Sequence, residues 1–115
     1  MHLCFCAIPH RHNPTPVAEP RSSCAGGVEE GALTLESCTR FVDEWATASE
    51  PEIAAAMLSL LDREGIRAEG AAGMVVACFL QQRARWAGKR VVIVVCGGNT
   101  SDDAFADAQR LVDCA

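Results

Sequence analysis

The sequence predicts an α/β chain whose parallel sheet is incomplete, and three observations carry that prediction. Val91 to Val95 are five consecutive β-branched residues with no polar alternation, the pattern of a strand covered on both faces as in a parallel sheet. The segments around this run carry helical apolar spacing and helix-capping residues instead. The resulting order, α-β-α-α-β-α, supplies only two or three strands with flanking helices, a marginal sheet on its own.

The elements follow in order. Residues 1–24 place Pro9, Pro14, Pro16 and Pro20 close together without any apolar period, which predicts an extended or disordered leader. The remaining residues, 25–115, are predicted to form the structured part. Thr34 can cap a short helix with Leu35, Cys38 and Val42 on one face. Residues 43–48, "DEWATA", read as a short strand. Ser49 and Glu52 then form a capping box, and Pro51 is tolerated in the first helical turn, where a missing N–H costs nothing. The helix they open carries Ile53, Met57, Leu60 and Leu61 and stops at Gly65. Ile66 to Ala68 is a connector or short strand. A helix is predicted from Gly70 to about Gly88, with a first turn of small residues that another backbone or a flat ligand can approach closely. After the valine-rich strand, Thr100 or Ser101 can cap a last helix whose inner face is Phe105, Ala108, Leu111 and Val112.

Bulk properties exclude several function classes. At 115 residues the chain is large enough for one small core. A net charge of −5 disfavours nonspecific nucleic-acid binding. Ala71 to Leu80 is the longest apolar stretch, well short of a bilayer span, and the N-terminus lacks the pattern of a signal peptide. The expected location is the cytoplasm, without nucleic-acid or membrane partners. Seven cysteines, an odd number scattered through helical and strand-like text, argue against a disulfide framework. Cys4, Cys6, His10 and His12 offer zinc-ligand chemistry, but a single residue between the thiols makes a strained chelate. No metal site is assigned there.

The end of the strand poses the chemical question. Cys96, Gly97, Gly98 and Asn99 place a thiol and bare backbone where open α/β sheets bind ligands. Asp102 and Asp103 in the following helical turn would repel a phosphate, and the turn matches no phosphate-loop pattern. A flat, neutral heteroatom ring suits it better. The alternative is a plain strand-to-helix turn.

Five segments occur in one order: "AGGVEEGALTLESC", "FVDEW", "SEPEIAAAM", "EGAAG" and "GKRVVIVVCGGN". Together they resemble the C-terminal part of the threonine/serine dehydratases, pyridoxal-phosphate enzymes of the tryptophan-synthase-β-like superfamily, fold type II. The resemblance runs from about Ala25 to Asn99. It implies an incomplete fold-type-II domain with pyridoxal phosphate as cofactor. It also implies the family reaction, β-elimination of water from a hydroxy amino acid followed by deamination to a 2-oxo acid. Cys96 would face the pyridine nitrogen of the cofactor, Gly97 and Gly98 would line the ring edge, and Glu69 would lie beside the ring. A neutral thiol cannot hold that nitrogen protonated as a carboxylate would, which suits loss of a β-substituent.

The resemblance breaks at Ser22 and Ser23, where relatives carry Asp-Gly. The family's Ser-x-Lys-x-Arg-Gly motif, which supplies the lysine that attaches the cofactor, and its glycine-rich phosphate loop are absent from these 115 residues. Lys89 is the single lysine. On an extended strand it would stand roughly 23 Å from Cys96 at about 3.3 Å per residue, too far to attach a ring held there. The expectation is therefore a fragment or truncated relative of a dehydratase, inactive alone and unable to bind the cofactor covalently. Alternatives are a non-catalytic complementing subunit, which would use a separate chain carrying the missing catalytic half, and a binding or regulatory α/β domain. Homo-oligomerisation is open.

Overall fold

The structure, a computed structural model, describes the backbone of residues 4–6 together with residues 36–37 and 40–114. Two short strands, β1 (Cys4–Cys6) and β2 (Glu44–Ala46), pair in parallel with Phe5 opposite Trp45. Three helices follow: α1 (Glu50–Glu64), α2 (Gly70–Gln81) and α3 (Asp102–Asp113), with a 3-10 turn at Arg83–Trp86. This is a partial α/β unit: a two-stranded parallel ladder with helices beside it. Residues 36–37 and 40–41 are helical, within the first predicted helix. The proposed cap Thr34, the face residues Leu35 and Cys38, the segment Ala25 to Glu29, and the side chains of Cys4, Cys6, His10 and His12 lie outside the described residues. Among the described residues no group of acidic, histidine or cysteine side chains could hold a metal, and no helix is long and apolar enough to cross a membrane.

Helix α1 is the centre of packing, touching both α2 and α3. Its buried residues Ile53, Ala54, Ala56, Met57 and Leu60 recur at helical spacing and make one apolar stripe. Ile53 and Met57 meet Met74 and Cys78 of α2, Phe105 of α3 and Ala46 of β2 in the main core cluster. Leu60, Ala68 and Ala72 make a second one, with Val76 against it. Leu61, assigned to the inner face by periodicity, is 39% exposed. The two helices α1 and α2 approach closely at Gly73. A methyl group there would sit 2.6 Å from Met57 Cγ and 2.8 Å from the Ile53 carbonyl oxygen. The small residues at the start of α2 thus admit another backbone, that of α1.

The caps form where the sequence places them. The Glu52 carboxylate accepts hydrogen bonds from the Ser49 N–H at 2.8 Å and the Ser49 hydroxyl at 2.7 Å, while Gln81 at the end of α2 donates to its other oxygen at 3.0 Å. The Ser49 hydroxyl, then the Ser49 N–H, then Gln81 hold its pKa down from about 4.5 to about 2, against a small opposing effect of burial. Gly65 ends α1 in the left-handed conformation at φ 66°, with its N–H bonded to the carbonyl groups of the last turn. Ser101 caps α3 by accepting from the Ala104 N–H. The predicted long helix from Gly70 to Gly88 is shorter: α2 stops at Gln81 and tightens into the 3-10 turn, where Arg85 pairs in bidentate fashion with Glu44 of β2.

The predicted strand Val91 to Val95 is corrected. These residues belong to no ladder, and no backbone hydrogen bond joins them to another described residue. Val92 is 88% and Val94 69% exposed. Their composition suits a strand, but no described strand lies beside them to pair with. Ile66 to Ala68 likewise forms no strand.

Arg67 fastens the segment after the valine run to the helices. Its Nε–H donates to the Thr100 carbonyl oxygen at 3.2 Å, and its Nη2 pairs with Asp102 at 2.5 Å. Its guanidinium lies 4.8 Å from the centre of the Phe105 ring. Three bonding modes on one side chain hold the turn and the first turn of α3 together.

Three outcomes follow from this packing. Gly73→Ala should cost about 1–3 kcal/mol by overpacking, lowering the melting temperature read by circular dichroism by about 5 °C or more. The depressed pKa of Glu52 means its stabilising contribution is complete above about pH 4.5 and is lost as pH falls toward 2. Glu52→Gln should therefore melt lower at neutral pH and show a flatter stability profile between pH 5 and 2. Arg67→Met should raise amide exchange at 97–101 well above that of α1, with Arg67→Lys restoring only part of the protection.

Candidate functional site

The four residues singled out by sequence lie on two adjoining segments. The first is the link from α1 to α2, residues 65–69, and the second is the turn from Cys96 to Ser101. They run side by side. The Glu69 N–H donates to the Gly97 carbonyl oxygen at 3.0 Å, and the Arg67 side chain holds the Thr100 carbonyl further along.

Gly97 has φ 80°, in the left-handed region that disfavours any residue with a side chain. The space that a Cβ would fill at Gly97 is already taken by the Glu69 carboxylate. The turn therefore requires glycine at 97 twice over, for conformation and for room. At Gly98 a Cβ would lie 3.6 Å from the Arg67 carbonyl oxygen, an ordinary contact. Cys96 carries an exposed free thiol, in contrast to Cys78, which is buried in the core. The structure thus joins Glu69 to Gly97 directly and leaves the Cys96 sulfur open at the edge of the same turn.

A cleft of about 300 Å³ opens next to this turn, between α1, α3 and the start of α2. Glu69 and Asn99 belong to its wall, but Cys96, Gly97 and Gly98 do not. Its ionisable wall residues are Glu50, Glu69 and Asp107, all acidic. A phosphate is disfavoured there by charge. The Thr100 hydroxyl, also on the wall, is buried without a hydrogen-bond partner among the described residues, and Ser101 takes the cap position that either residue could have filled. Lys89 is placed elsewhere: its N–H bonds to the Trp86 carbonyl and its ammonium lies 5.3 Å from the centre of the Trp86 ring.

The donor set is a thiol, the carboxyl group of Glu69 and side-chain-free backbone. It suits the edge of an uncharged heteroaromatic ring and does not suit an anion. Sequence reasoning missed Arg67, which carries no motif. The signal for it was weak: an arginine two residues before the small-residue turn, with an aspartate pair 35 residues later.

Comparison with known proteins places the chain in a family. Residues 4–97 match the family model described as pyridoxal-phosphate dependent enzyme. The L-threonine ammonia-lyase of Thermotoga maritima is 39% identical over 84 residues, covering 70% of this chain and 21% of that protein. The phenylserine dehydratase of Ralstonia pickettii is 38% identical over 74 residues, covering 64% of this chain and 23% of that protein. The catabolic L-threonine dehydratase of Staphylococcus aureus is 40% identical over 72 residues, covering 60% of this chain and 21% of that protein. The chain spans about a fifth of the length of these curated relatives. With the family model reaching through β1, β2, both following helices and the turn as far as Gly97, the chain belongs to the pyridoxal-phosphate dependent enzymes.

Proposed function

We propose that these 115 residues form the ring-facing wall of the cofactor site in a dehydratase acting on hydroxy amino acids. The single observation that carries this reading is the exposed Cys96 thiol next to a left-handed Gly97 whose missing side chain is replaced by the Glu69 carboxylate. Cys96 would meet the pyridine nitrogen, Gly97 and Gly98 would face the ring edge, and Glu69 would back the turn. Bound pyridoxal phosphate supplies an electron sink that lets a β-hydroxyl group leave as water.

This chain's residues contribute placement and polarity. Cys96 offers the ring nitrogen an uncharged partner, so no carboxylate holds a proton on that atom. Gly97 and Gly98 let a flat ring approach backbone without steric conflict. The Glu69–Gly97 contact and the Arg67 latch keep the turn from drifting. Nothing in the acidic cleft would hold a phosphate, and Lys89 stands on the Trp86 ring. The attaching lysine and the phosphate cradle therefore come from polypeptide outside these 115 residues. The product chemistry of the full site would be ammonia and a 2-oxo acid.

The reading is tested with nitrogen-15-labelled chain and millimolar pyridoxal phosphate. Amide shifts should concentrate at Glu69 and at Cys96 to Gly98. They should persist in Cys96→Ser, which keeps an uncharged polar partner, and fade in Cys96→Leu. Shifts centred on Lys89, or none at those four residues, would sink the assignment. The purified chain should release no pyruvate from serine and no 2-oxobutyrate from threonine; measurable release would show that it holds a complete site.

A further inference from the structure

The cleft beside the Cys96–Ser101 turn is set apart by its charge. Glu50, Glu69 and Asp107 are its ionisable wall residues, and no lysine or arginine lines it. All three are half-buried, where salt and water screen charge less than on an open surface. Asp107 also pairs with Arg110 along α3. No ion pair joins Glu50 or Glu69 to another described residue. The two carboxylates therefore line one small opening without a cation from the described chain. A concave site of one sign concentrates ligands of the other.

The rest of the lining has a different character. Ile53, Ala54, Met57 and Ala108 are buried core residues that also line the cleft, so its floor is hydrocarbon. The Thr100 hydroxyl oxygen is buried on the wall without a hydrogen-bond partner among the described residues, and Asn99 adds an amide. An ammonium group has three donors and no acceptor, so carboxylate, hydroxyl and amide oxygens all suit it. A bare metal ion is a poorer match, because no group of acidic, histidine or cysteine side chains among the described residues is arranged to hold one. An anionic ligand is opposed by the charge of the wall. The volume, about 300 Å³, is that of a small-molecule site. The lining thus calls for a cationic head on a hydrocarbon body.

We propose that this cleft binds a small aliphatic primary amine, with its ammonium group at Glu50 and Glu69 and its alkyl chain on the floor of Ile53, Met57 and Ala108. The site is separate from the ring-facing surface, since Cys96, Gly97 and Gly98 are not on its wall. It does not rest on the cofactor-wall reading. The amine is a ligand there and undergoes no reaction.

The test titrates the full 115-residue chain, labelled with nitrogen-15, with n-pentylammonium chloride at low salt. Amide shifts should centre on Glu50, Ala71, Asn99 and Ala104 and saturate with a Kd on the order of 1 mM, the range expected of so small a ligand. Ammonium chloride, 1-pentanol and sodium pentanoate separate the parts of the argument: each should bind at least about fivefold more weakly, for want of a chain, a charge or the right sign. Added salt should weaken the pentylammonium complex. Glu50→Gln should weaken it about threefold or more without changing the melt, since Glu50 is not a core residue. Ala104→Leu should fill the cleft and abolish binding. Cys96→Leu should bind the amine like the parent, which separates this site from the cofactor wall. Equal binding of 1-pentanol or pentanoate overturns the proposal, as does equal binding of ammonium alone. So does an absence of saturable shifts at the wall, or binding that Glu50→Gln leaves unchanged.

Discussion

The close approach of α1 and α2 at Gly73 is the constraint on which the rest of the structure depends. A single missing side chain lets the Ile53 carbonyl and the Met57 side chain sit against the second helix. That contact sets the spacing at which Met74 and Cys78 can reach Ile53 and Met57, and it closes the main core. Among the described residues no large side chain is fully enclosed. Stability therefore rests on short interhelical distance more than on bulky side chains, consistent with dispersion between closely spaced atoms and with the density of protein interiors. The cross-tie from Gln81 to Glu52 joins the far end of α2 to the first turn of α1.

From that scaffold the chain extends the turn that carries the chemistry. The link between the two helices, residues 65–69, passes along the Cys96–Ser101 turn and holds it at two points, Gly97 and Thr100. The hold is made of backbone and one arginine, so the turn stays free of bulk. Glu69 serves both sides: it precedes the first helical residue of α2, and its side chain occupies the space beside Gly97. Helix packing and site geometry are thus coupled, since a shift of α2 relative to α1 would move the wall of the turn.

The contrast between this organised turn and the run that leads into it is informative. Residues 91–95 have a composition suited to deep burial and a surface position. Sequences usually agree across local and tertiary levels, and where they disagree a missing partner or a functional demand is the physical explanation. The chain spans about a fifth of the length of the curated relatives it matches.

The sequence by itself determined whatever local chemistry decides. Ser49 with Glu52, Gly65 and Ser101 bound their helices because capping groups satisfy backbone within one turn. Ile53, Met57 and Leu60 were legible as an inner face because helical period is a property of neighbouring residues. Cys96 to Gly98 stood out because a thiol and two glycines after an apolar run are chemically conspicuous. Only the tertiary structure decided the rest. It ended α2 at Gln81, where Arg85 meets Glu44 across 41 positions, and it gave Arg67 its place on Thr100, Asp102 and Phe105. It also left Val91 to Val95 unpaired among the described residues, since a strand forms only where another backbone lies alongside it, and no local pattern can provide that neighbour.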